Sequence, residues 1–442
     1  MVYTPLGPGW PAPLGCGEWR GQPNGVIIES TLSAGRHRRA ERGAAGPAGA
    51  MTSMMCGLDF SPEGDDMVKR LIVCCDGTWN LADQPSKTNV TKVALSVRPR
   101  AAGVEQRVYY HSGVGTRRWE RLRGGAFGMG LSGNVMDAYR FLVDAYEPGD
   151  VLYLFGFSRG AFTARSLAGL VRNCGILRRE HADRVKEAWA LYRDRAEKPT
   201  GTASTLFRRA YAHETGIHFV GVWDTVGALG IPGPGPRWLK PVVSLVNRRW
   251  AFHDTELSSW VKGAFHALAI DEQRTPFRPT LWHQQPGAAD SGQELKQVWF
   301  AGVHCDIGGG YKETALSDIA LLWMVHQARK YELEFDAEAL GEAGPHDMIP
   351  DRSIDFRVRP DSMGTVHDSR TGLYRLARPW HRPIGQSADK QGRLDGCEYL
   401  SETAKERHDN DASYRPPELN RHLTQGPVTL EPVPLKQTPP DH

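Results

Sequence analysis

The sequence predicts a doubly wound α/β fold, in which helices cover both faces of a mainly parallel sheet. Five short apolar runs, each followed by small residues, predict strands at 71–75, 107–110, 151–157, 217–223 and 297–303. Amphipathic patterns between and after them predict helices at 134–146, 161–171 and 316–330. Continuous apolar strands that alternate with helices are typical of a sheet buried on both faces. Right-handed crossovers then place the functional loops at the carboxyl ends of the strands.

Composition and charge exclude several classes of protein. Of the 442 residues, 40% are hydrophobic and 24% are charged, as in ordinary globular proteins. This composition excludes a wholly disordered or fibrous chain. The 54 Lys and Arg nearly balance the 51 Asp and Glu, so we expect no nucleic-acid partner. The seven cysteines are scattered, which favours a reduced chain without a disulfide framework or zinc-finger spacing.

Targeting signals are absent from the pattern of the sequence. No apolar run approaches the roughly 18–20 residues that a membrane span needs, and the N-terminal residues lack the basic-then-apolar order of a secretory signal. We therefore expect the chain to be cytoplasmic at synthesis, which is compatible with export by a specialised secretion system.

Four segments differ in composition. Residues 1–66 are rich in Gly, Pro, Ala and Arg and predict a disordered or non-native extension, which translation from Met67 would omit. Residues 67–335 form the predicted α/β domain, and residues 336–426 an irregular extension packed on it. Residues 427–442 contain five prolines and predict a mobile tail. Within the domain, residues 231–260 open with a Pro/Gly run and predict either a lid-like insertion or a peripheral helix.

The most informative motif is Gly156-Phe-Ser158-Arg-Gly160, which lies between a buried strand and a helix. A serine on a tight strand-to-helix turn has a strained backbone, and its hydroxyl projects above the sheet. Glycine at the flanking positions removes the Cβ atoms that would collide with neighbouring backbone. The motif therefore predicts a nucleophilic serine, with a glycine-rich turn carrying an idle serine as the alternative.

A nucleophilic serine needs a base, and the base needs an orienting acid. In a fold of this kind they follow in the order serine, acid, histidine, each after a later strand. Asp224 and His304 follow the fourth and fifth predicted strands and are the predicted acid and base. Asp306 is the rival acid and otherwise a loop-shaping residue. Three other histidines are weaker candidates for the base because none directly follows a strand: His218, His253 and His266.

The oxyanion of an acyl-transfer intermediate is stabilised by backbone N–H groups. One predicted donor is the N–H of Arg159, the residue after the nucleophile. The second is expected from the loop after the first strand, at Gly77 or Thr78. Asp76 precedes both and is predicted to cap that turn.

Four sequence blocks together resemble an α/β-hydrolase family that includes the catalytic domain of type VI secretion phospholipase effectors. They are Asp-Gly-Thr-Trp-Asn at 76–80, Gly-Phe-Ser-Arg-Gly-Ala-Phe at 156–162, Val-Trp-Asp-Thr-Val-Gly at 222–227 and His-Cys-Asp-Ile-Gly-Gly-Gly-Tyr at 304–311. The resemblance covers about residues 68–330 and implies a fold of the α/β-hydrolase type. It implies a serine esterase or lipase that cleaves phospholipid acyl esters, with the triad Ser158, Asp224 and His304. It also implies no metal or organic cofactor. We expect a small-molecule or lipid ester as the substrate and peripheral contact with a membrane.

Other interpretations of the motifs remain open. Gly-Met-Gly-Leu-Ser-Gly at 128–133 fits a dinucleotide fingerprint but follows no clear strand, so it is better explained as a glycine loop that admits a helix N-terminus to the rim of the active site. Asp76-Gly-Thr fits a phosphatase pattern, but Cys74 occupies the position of the nucleophilic aspartate. His304-x-Asp306 fits a pair of metal ligands. Among functions, the alternative is a catalytically inactive hydrolase fold that serves as a binding or scaffold protein.

Overall fold

A computed structural model describes residues 25–28, 68–77, 86–113, 126–227, 256–341, 356–376, 378–386 and 397–435. The helices in these residues are α1 Asn89–Ser96, α2 Ala126–Ala145, α3 Arg159–Cys174, α4 Val185–Arg193, α5 Thr202–Tyr211, α6 His304–Gly308, α7 Ala315–Lys330, α8 Glu402–Asn410 and α9 Pro417–Thr424. The strands are β1 Gly25–Ile28, β2 Arg70–Cys75, β3 Arg100–Ala101, β4 Val104–His111, β5 Val151–Phe157, β6 Ile176–Leu177, β7 Ala212–His213, β8 Ile217–Trp223, β9 Glu256–Leu257, β10 Val261–Ala269, β11 His283–Gln284, β12 Glu294–Phe300, β13 Glu398–Ser401 and β14 Leu430–Glu431.

The central sheet joins ten of these strands in the order β1-β4-β2-β5-β8-β10-β12-β13-β14, with β3 paired to β4. All neighbours from β4 to β14 are parallel, whereas β1 and β3 run antiparallel to β4. This topology confirms the predicted mainly parallel sheet. It also places the carboxyl ends of β2, β5, β8 and β12 along one edge, where the predicted site residues follow.

The sheet is buried on both faces because successive side chains of a strand point to opposite sides. In β2, Leu71 and Val73 pack in the layer of α2, α3, α4 and α5. Ile72 and Cys74 pack in the other layer, with α1 and α7. Among the described helices, none combines the length and the apolar composition needed to cross a membrane.

The glycine-rich stretch 128–133 differs from its prediction as a loop, because it lies inside α2, which begins at Ala126. Leu131 and Val135 are both buried, four residues apart on one helical face. Val135 belongs to the same apolar cluster as Leu71 and Val73 of β2, and this packing outweighs the weak helix propensity of the glycines. The expected loop at the rim of the active site is therefore a helix.

Regular structure also occurs in stretches for which the sequence predicts none. β1 lies within residues 1–66 and pairs with the edge of β4. β13 lies in the predicted irregular extension and β14 in the predicted mobile tail, yet both extend the central sheet. Glu431 of β14 is buried and accepts hydrogen bonds from Lys296 and Trp323, and these contacts fix the strand. The rest of residues 1–66 and most of the 231–260 insertion lie outside the described residues.

Candidate active site

Ser158 is the single residue between the end of β5 and the start of α3. Its backbone has φ 58° and ψ −117°, in the left-handed half of conformational space that a non-glycine residue seldom adopts. Its N–H donates to the carbonyl oxygen of Trp223 at 3.0 Å, so the sheet ladder continues up to the turn. This geometry is that of the nucleophile elbow that the sequence motif predicts.

The two flanking glycines are required by the close approach of backbone on both sides of the turn. A Cβ added to Gly156 would lie 2.5 Å from the carbonyl oxygen of Gly160. A Cβ added to Gly160 would lie 2.1 Å from the carbonyl oxygen of Cys75. Neither position accepts a side chain, because backbone atoms cannot move aside as a flexible side chain can. The elbow therefore packs directly on the carboxyl end of β2.

Asp224 and His304 are joined by a hydrogen bond of 2.5 Å between Asp224 Oδ2 and His304 Nδ1. Asp224 follows β8 directly, and His304 is the first residue of α6. Both side chains are buried. Since Nδ1 faces a carboxylate, it carries a proton, and Nε2 is the ring nitrogen left to act as a base.

The His304 imidazole lies between two aromatic rings. Its centroid is 4.7 Å from that of Phe157, the residue before Ser158, and 4.9 Å from that of Phe277. The Phe157 ring also occupies the space beside Gly308, where an added Cβ would lie 2.0 Å from a ring carbon. The end of β5 and the start of α6 therefore meet at the Phe157 ring.

Arg382 binds both carboxylate oxygens of Asp224, a contact that sequence analysis did not predict. Nη1 donates to Oδ1 at 2.5 Å, and Nη2 donates to Oδ2 at 3.0 Å. Burial alone would raise the pKa of Asp224, but the charge of Arg382 and the hydrogen bond with His304 outweigh it and hold this pKa well below its usual range. The carboxylate is therefore ionised although it is fully buried.

Glu272 is a second buried acid that sequence analysis did not predict. One carboxylate oxygen accepts from the backbone N–H of His304 at 3.4 Å, and Arg274 donates to both oxygens. Burial would raise the pKa of Glu272, but the hydrogen bonds and charge of Arg274 hold it below its usual value. Glu272 thus fixes the backbone at the first residue of α6.

Asp306 binds residues other than His304. Its carboxylate accepts from the backbone N–H of Val303 at 3.0 Å and from that of His367 at 3.1 Å. The His367 imidazole lies 2.6 Å from its other oxygen. Asp306 therefore shapes the loop around α6, and among the described residues its carboxylate contacts the imidazole of His367 and not that of His304.

Asp76 is buried after β2, and four uncharged groups of the described residues donate hydrogen bonds to it. They come from Thr88 and Thr91 of the α1 N-terminus, from Tyr110 of β4 and from the N–H of Gly77. Burial raises the pKa of Asp76, and these hydrogen bonds offset the rise only in part. The N–H of Gly77, one of the two predicted oxyanion donors of this loop, is thus engaged with Asp76, while Thr78 lies outside the described residues.

The weaker candidates for the base occupy other positions. His266 Nε2 accepts from the N–H of Thr225 at 3.0 Å, and its Nδ1 faces Gln297. Burial lowers the pKa of His266 to about 3, so the ring is neutral and already has a donor on its basic nitrogen. His218 is at the amino end of β8, away from Asp224. His253 lies outside the described residues.

The alternative in which His304 and Asp306 ligate a metal finds no third ligand in the part of the chain that the structure describes. No group of three or more His, Cys, Asp or Glu side chains there is arranged to hold an ion. His304 Nδ1 and the Asp306 carboxylate face Asp224 and His367 respectively.

Known proteins resemble this chain to different extents. The uncharacterized protein YEL023C of Saccharomyces cerevisiae is 31% identical over 243 residues, which are 49% of this chain and 33% of the yeast protein. The chain thus covers a third of the length of that relative.

Solved structures give weaker similarity. An uncharacterized protein from Pseudomonas aeruginosa is 17% identical with a TM-score of 0.40, covering 66% of this chain and 49% of that one. A putative carboxylesterase from Lactobacillus plantarum is 12% identical with a TM-score of 0.30, covering 64% and 89%. Esterase Est2 from Thermogutta terrifontis is 12% identical with a TM-score of 0.32, covering 66% and 88%.

The family model that matches is described as "T6SS, Phospholipase effector Tle1-like, catalytic domain", and it matches residues 69–327. That range is more than half of the chain and contains Ser158, Asp224 and His304. It confirms the resemblance drawn from the four sequence blocks. The chain therefore belongs to the Tle1-like phospholipase effector family, and residues 69–327 match the catalytic domain of that family.

Proposed function

We propose that this protein is a serine hydrolase that cleaves carboxylic esters through Ser158, His304 and Asp224, with lipid or phospholipid acyl esters as its substrates. The hydrogen-bonded Asp224–His304 pair beside the strained turn at Ser158 is the observation that carries this proposal. The pair supplies a buried base whose imidazole packs on Phe157, the residue before the strained Ser158.

In the proposed acylation step, Ser158 Oγ attacks the ester carbonyl carbon while His304 Nε2 takes the hydroxyl proton. Asp224 accepts the Nδ1–H and stabilises the imidazolium that forms. The N–H of Arg159 is one donor to the oxyanion. Because the Gly77 N–H binds Asp76, Thr78 is the better candidate for the second.

The imidazolium then gives its proton to the leaving alkoxide, and the C–O bond of the ester breaks. In deacylation a water molecule, activated by His304, attacks the acyl-serine, and the carboxylic acid leaves as Ser158 regains its proton. The two half-reactions are symmetric in their use of His304, so one base serves both.

Phospholipid as the substrate rests on the family description alone. The 231–260 insertion stays a predicted lid and acyl-contact surface, and peripheral membrane contact stays a prediction. Deleting the insertion should change the preferred acyl-chain length if it contacts the acyl group.

The test uses the full chain and its Ser158→Ala variant. A fluorescent fluorophosphonate should label the wild type but not the variant, and turnover of p-nitrophenyl butyrate should fall at least about a thousandfold. Ser166→Ala is a matched control, since Ser166 is a buried serine further along α3. It should retain labelling and turnover.

Vesicles of phosphatidylethanolamine and phosphatidylglycerol identify the substrate class. Release of fatty acid and lysophospholipid by the wild type alone would support a phospholipase. Hydrolysis of the soluble ester without vesicle hydrolysis would restrict the proposal to an esterase. A well-folded wild type that is neither labelled nor active would favour the inactive binding scaffold.

A further inference from the structure

Arg382 lies outside the part of the chain that carries the family resemblance. The family match ends at residue 327, and Arg382 follows in a segment with no helix or strand. Its guanidinium is nevertheless fully buried against Asp224, which is 158 positions earlier in the chain. A segment beyond the matched domain therefore reaches its candidate catalytic site.

The guanidinium is held in a single orientation by four hydrogen bonds. Two go to the carboxylate of Asp224, and two go to the carbonyl oxygens of Ala269 at 2.9 Å and Phe277 at 2.6 Å. The planar fork of arginine matches both oxygens of a carboxylate, which fixes the plane of that carboxylate. The Ala269 N–H donates to Asp224 Oδ1 at 3.2 Å and adds to this constraint.

The arrangement leaves Asp224 Oδ2 shared between Arg382 and His304. A buried carboxylate without a counter-charge would take up a proton, and an Asp224 carrying that proton would no longer orient the Nδ1–H of His304. Arg382 supplies the counter-charge. The Phe277 carbonyl oxygen accepts from Arg382, and the Phe277 ring packs on His304. Phe277 therefore contacts both the arginine that binds Asp224 and the histidine that Asp224 orients.

Among the described residues, other titratable or charged groups interact with the Asp224–His304 pair or with its neighbours. They are His266 of β10, Glu272 and Arg274 of the loop after β10, Cys305 of α6 and Arg165 of α3, whose charge acts on His266. Among them, the charges of Glu272 and Arg274 are paired with each other. Arg382 is the cation that touches the catalytic carboxylate directly.

We propose that Arg382 is a positioning residue of the catalytic acid, which orients the Asp224 carboxylate and sets the lowest pH at which the site works. This inference rests on the proposed function. Protonation of the Asp224–His304 pair, wherever the proton resides, adds positive charge beside the guanidinium and is therefore opposed by it. Without the guanidinium, the pair takes up its inactivating proton at a higher pH.

The experiment compares Arg382→Gln and Arg382→Lys with the wild type, using the pH dependence of kcat and kcat/KM on p-nitrophenyl butyrate. Arg382→Gln removes charge and fork, so kcat should fall about tenfold to a hundredfold, and the acidic limb of kcat/KM should move up by about one pH unit. Arg382→Lys keeps the charge but loses the fork. Its kcat should fall about tenfold with the acidic limb in place.

Arg407→Gln is the matched control. Arg407 is a buried arginine of the same extension that donates to the carbonyl oxygens of Ser362 and Gly364. Its replacement should lower thermal stability while kcat and the acidic limb of the folded protein stay at wild-type values.

Each outcome decides the inference. A folded Arg382→Gln with the wild-type kcat and the wild-type acidic limb of kcat/KM overturns the inference. A loss of activity equal to that of Arg407→Gln, with the acidic limb unmoved, overturns it as well. If Arg382→Gln does not fold, Arg382→Lys decides: a reduced kcat with an unmoved limb supports the inference, and a wild-type kcat overturns it. If fluorophosphonate labels the wild type and the Arg382 variants keep the wild-type kcat and pH dependence, the positioning role alone is overturned. A wild type that is neither labelled nor active overturns the proposed function and this inference together.

Discussion

The two strands that flank β5 are each followed directly by a buried aspartate, and the two aspartates have opposite surroundings. Asp224, after β8, is bound by the guanidinium of Arg382 and the imidazole of His304. Asp76, after β2, accepts hydrogen bonds from three hydroxyls and a backbone N–H of the described residues, all of them uncharged. The pKa is lowered at Asp224 and raised at Asp76, although burial acts in the same direction at both.

This difference shows what separates a carboxylate that can serve catalysis from one that holds a loop. Neutral donors satisfy the lone pairs of a carboxylate but do not repay the cost of burying its charge. Cationic partners do both, and they leave the carboxylate ionised and able to stabilise an imidazolium. Equal burial at equivalent ends of neighbouring strands is therefore compatible with different roles.

The largest expected effect in this comparison is that of Asp224→Asn on turnover. The amide oxygen would face Arg382, and the amide NH₂ would then face His304 Nδ1, which selects the tautomer with its proton on Nε2. That tautomer cannot accept the proton of Ser158, so kcat should fall at least about a thousandfold. The measurement is kcat on a short-chain ester, per folded molecule as judged by circular dichroism.

Asp306→Asn is the matched control for this substitution. Because Asp306 binds Val303 and His367, its kcat should stay within about tenfold of the wild type. Equal losses at Asp224 and Asp306 would show that the orienting acid has been assigned wrongly.

A smaller effect, on stability instead of turnover, is expected for Asp76→Ala. Four buried donors lose their acceptor, so the free energy of unfolding should fall by about 2–4 kcal/mol. The backbone of the loop keeps its hydrogen bond from the Asp76 N–H to the carbonyl of His111 at 2.9 Å. The kcat of the folded fraction should therefore stay within about tenfold of the wild type. Urea unfolding and kcat would be measured together, and unchanged stability with a hundredfold loss of kcat would place Asp76 in the catalytic machinery.

The finest test of the comparison is the pH dependence of stability, measured by urea unfolding of the wild type, Asp224→Asn and Asp76→Ala. Asp224 has a folded-state pKa below the ordinary 3.8, so its stabilising contribution is present above that value and is lost as the pH falls through the folded-state pKa. Asp76 has a raised folded-state pKa. Its contribution is present below 3.8 and is lost as the pH rises through the folded-state pKa. The two stability differences should therefore change with pH in opposite directions, and parallel curves would contradict the contrast.

The sequence supported those parts of the fold that depend on local pattern. Strand periodicity identified β2, β5 and β8, and the Gly156-x-Ser158-x-Gly160 spacing identified the turn, because both depend on contacts between near neighbours. Asp224 and His304 could be selected from chain order and their positions after strands. Their mutual hydrogen bond, by contrast, joins loops 80 positions apart and needs the whole sheet to form.

Arg382 and Glu272 could not be predicted in this way. Arg382 belongs to a stretch without periodicity, and an arginine there is indistinguishable from an exposed one until its distant partner is known. The start of α2 was misjudged for a related reason. Glycine disfavours helix locally, and burial of Leu131 and Val135 reverses that preference.

The Phe157 ring packs on both His304 and Gly308, and this has a consequence for how such a site can be changed. A side chain at position 308 has no room while position 157 is aromatic, and a smaller residue at 157 removes a support of the base. A side chain at position 308 is therefore expected to fit only together with a smaller residue at position 157, and this pair of changes would weaken the packing on His304. Transplanting the serine turn into another scaffold would require the segment with Gly308 as well, because the Phe157 ring needs the space beside that glycine.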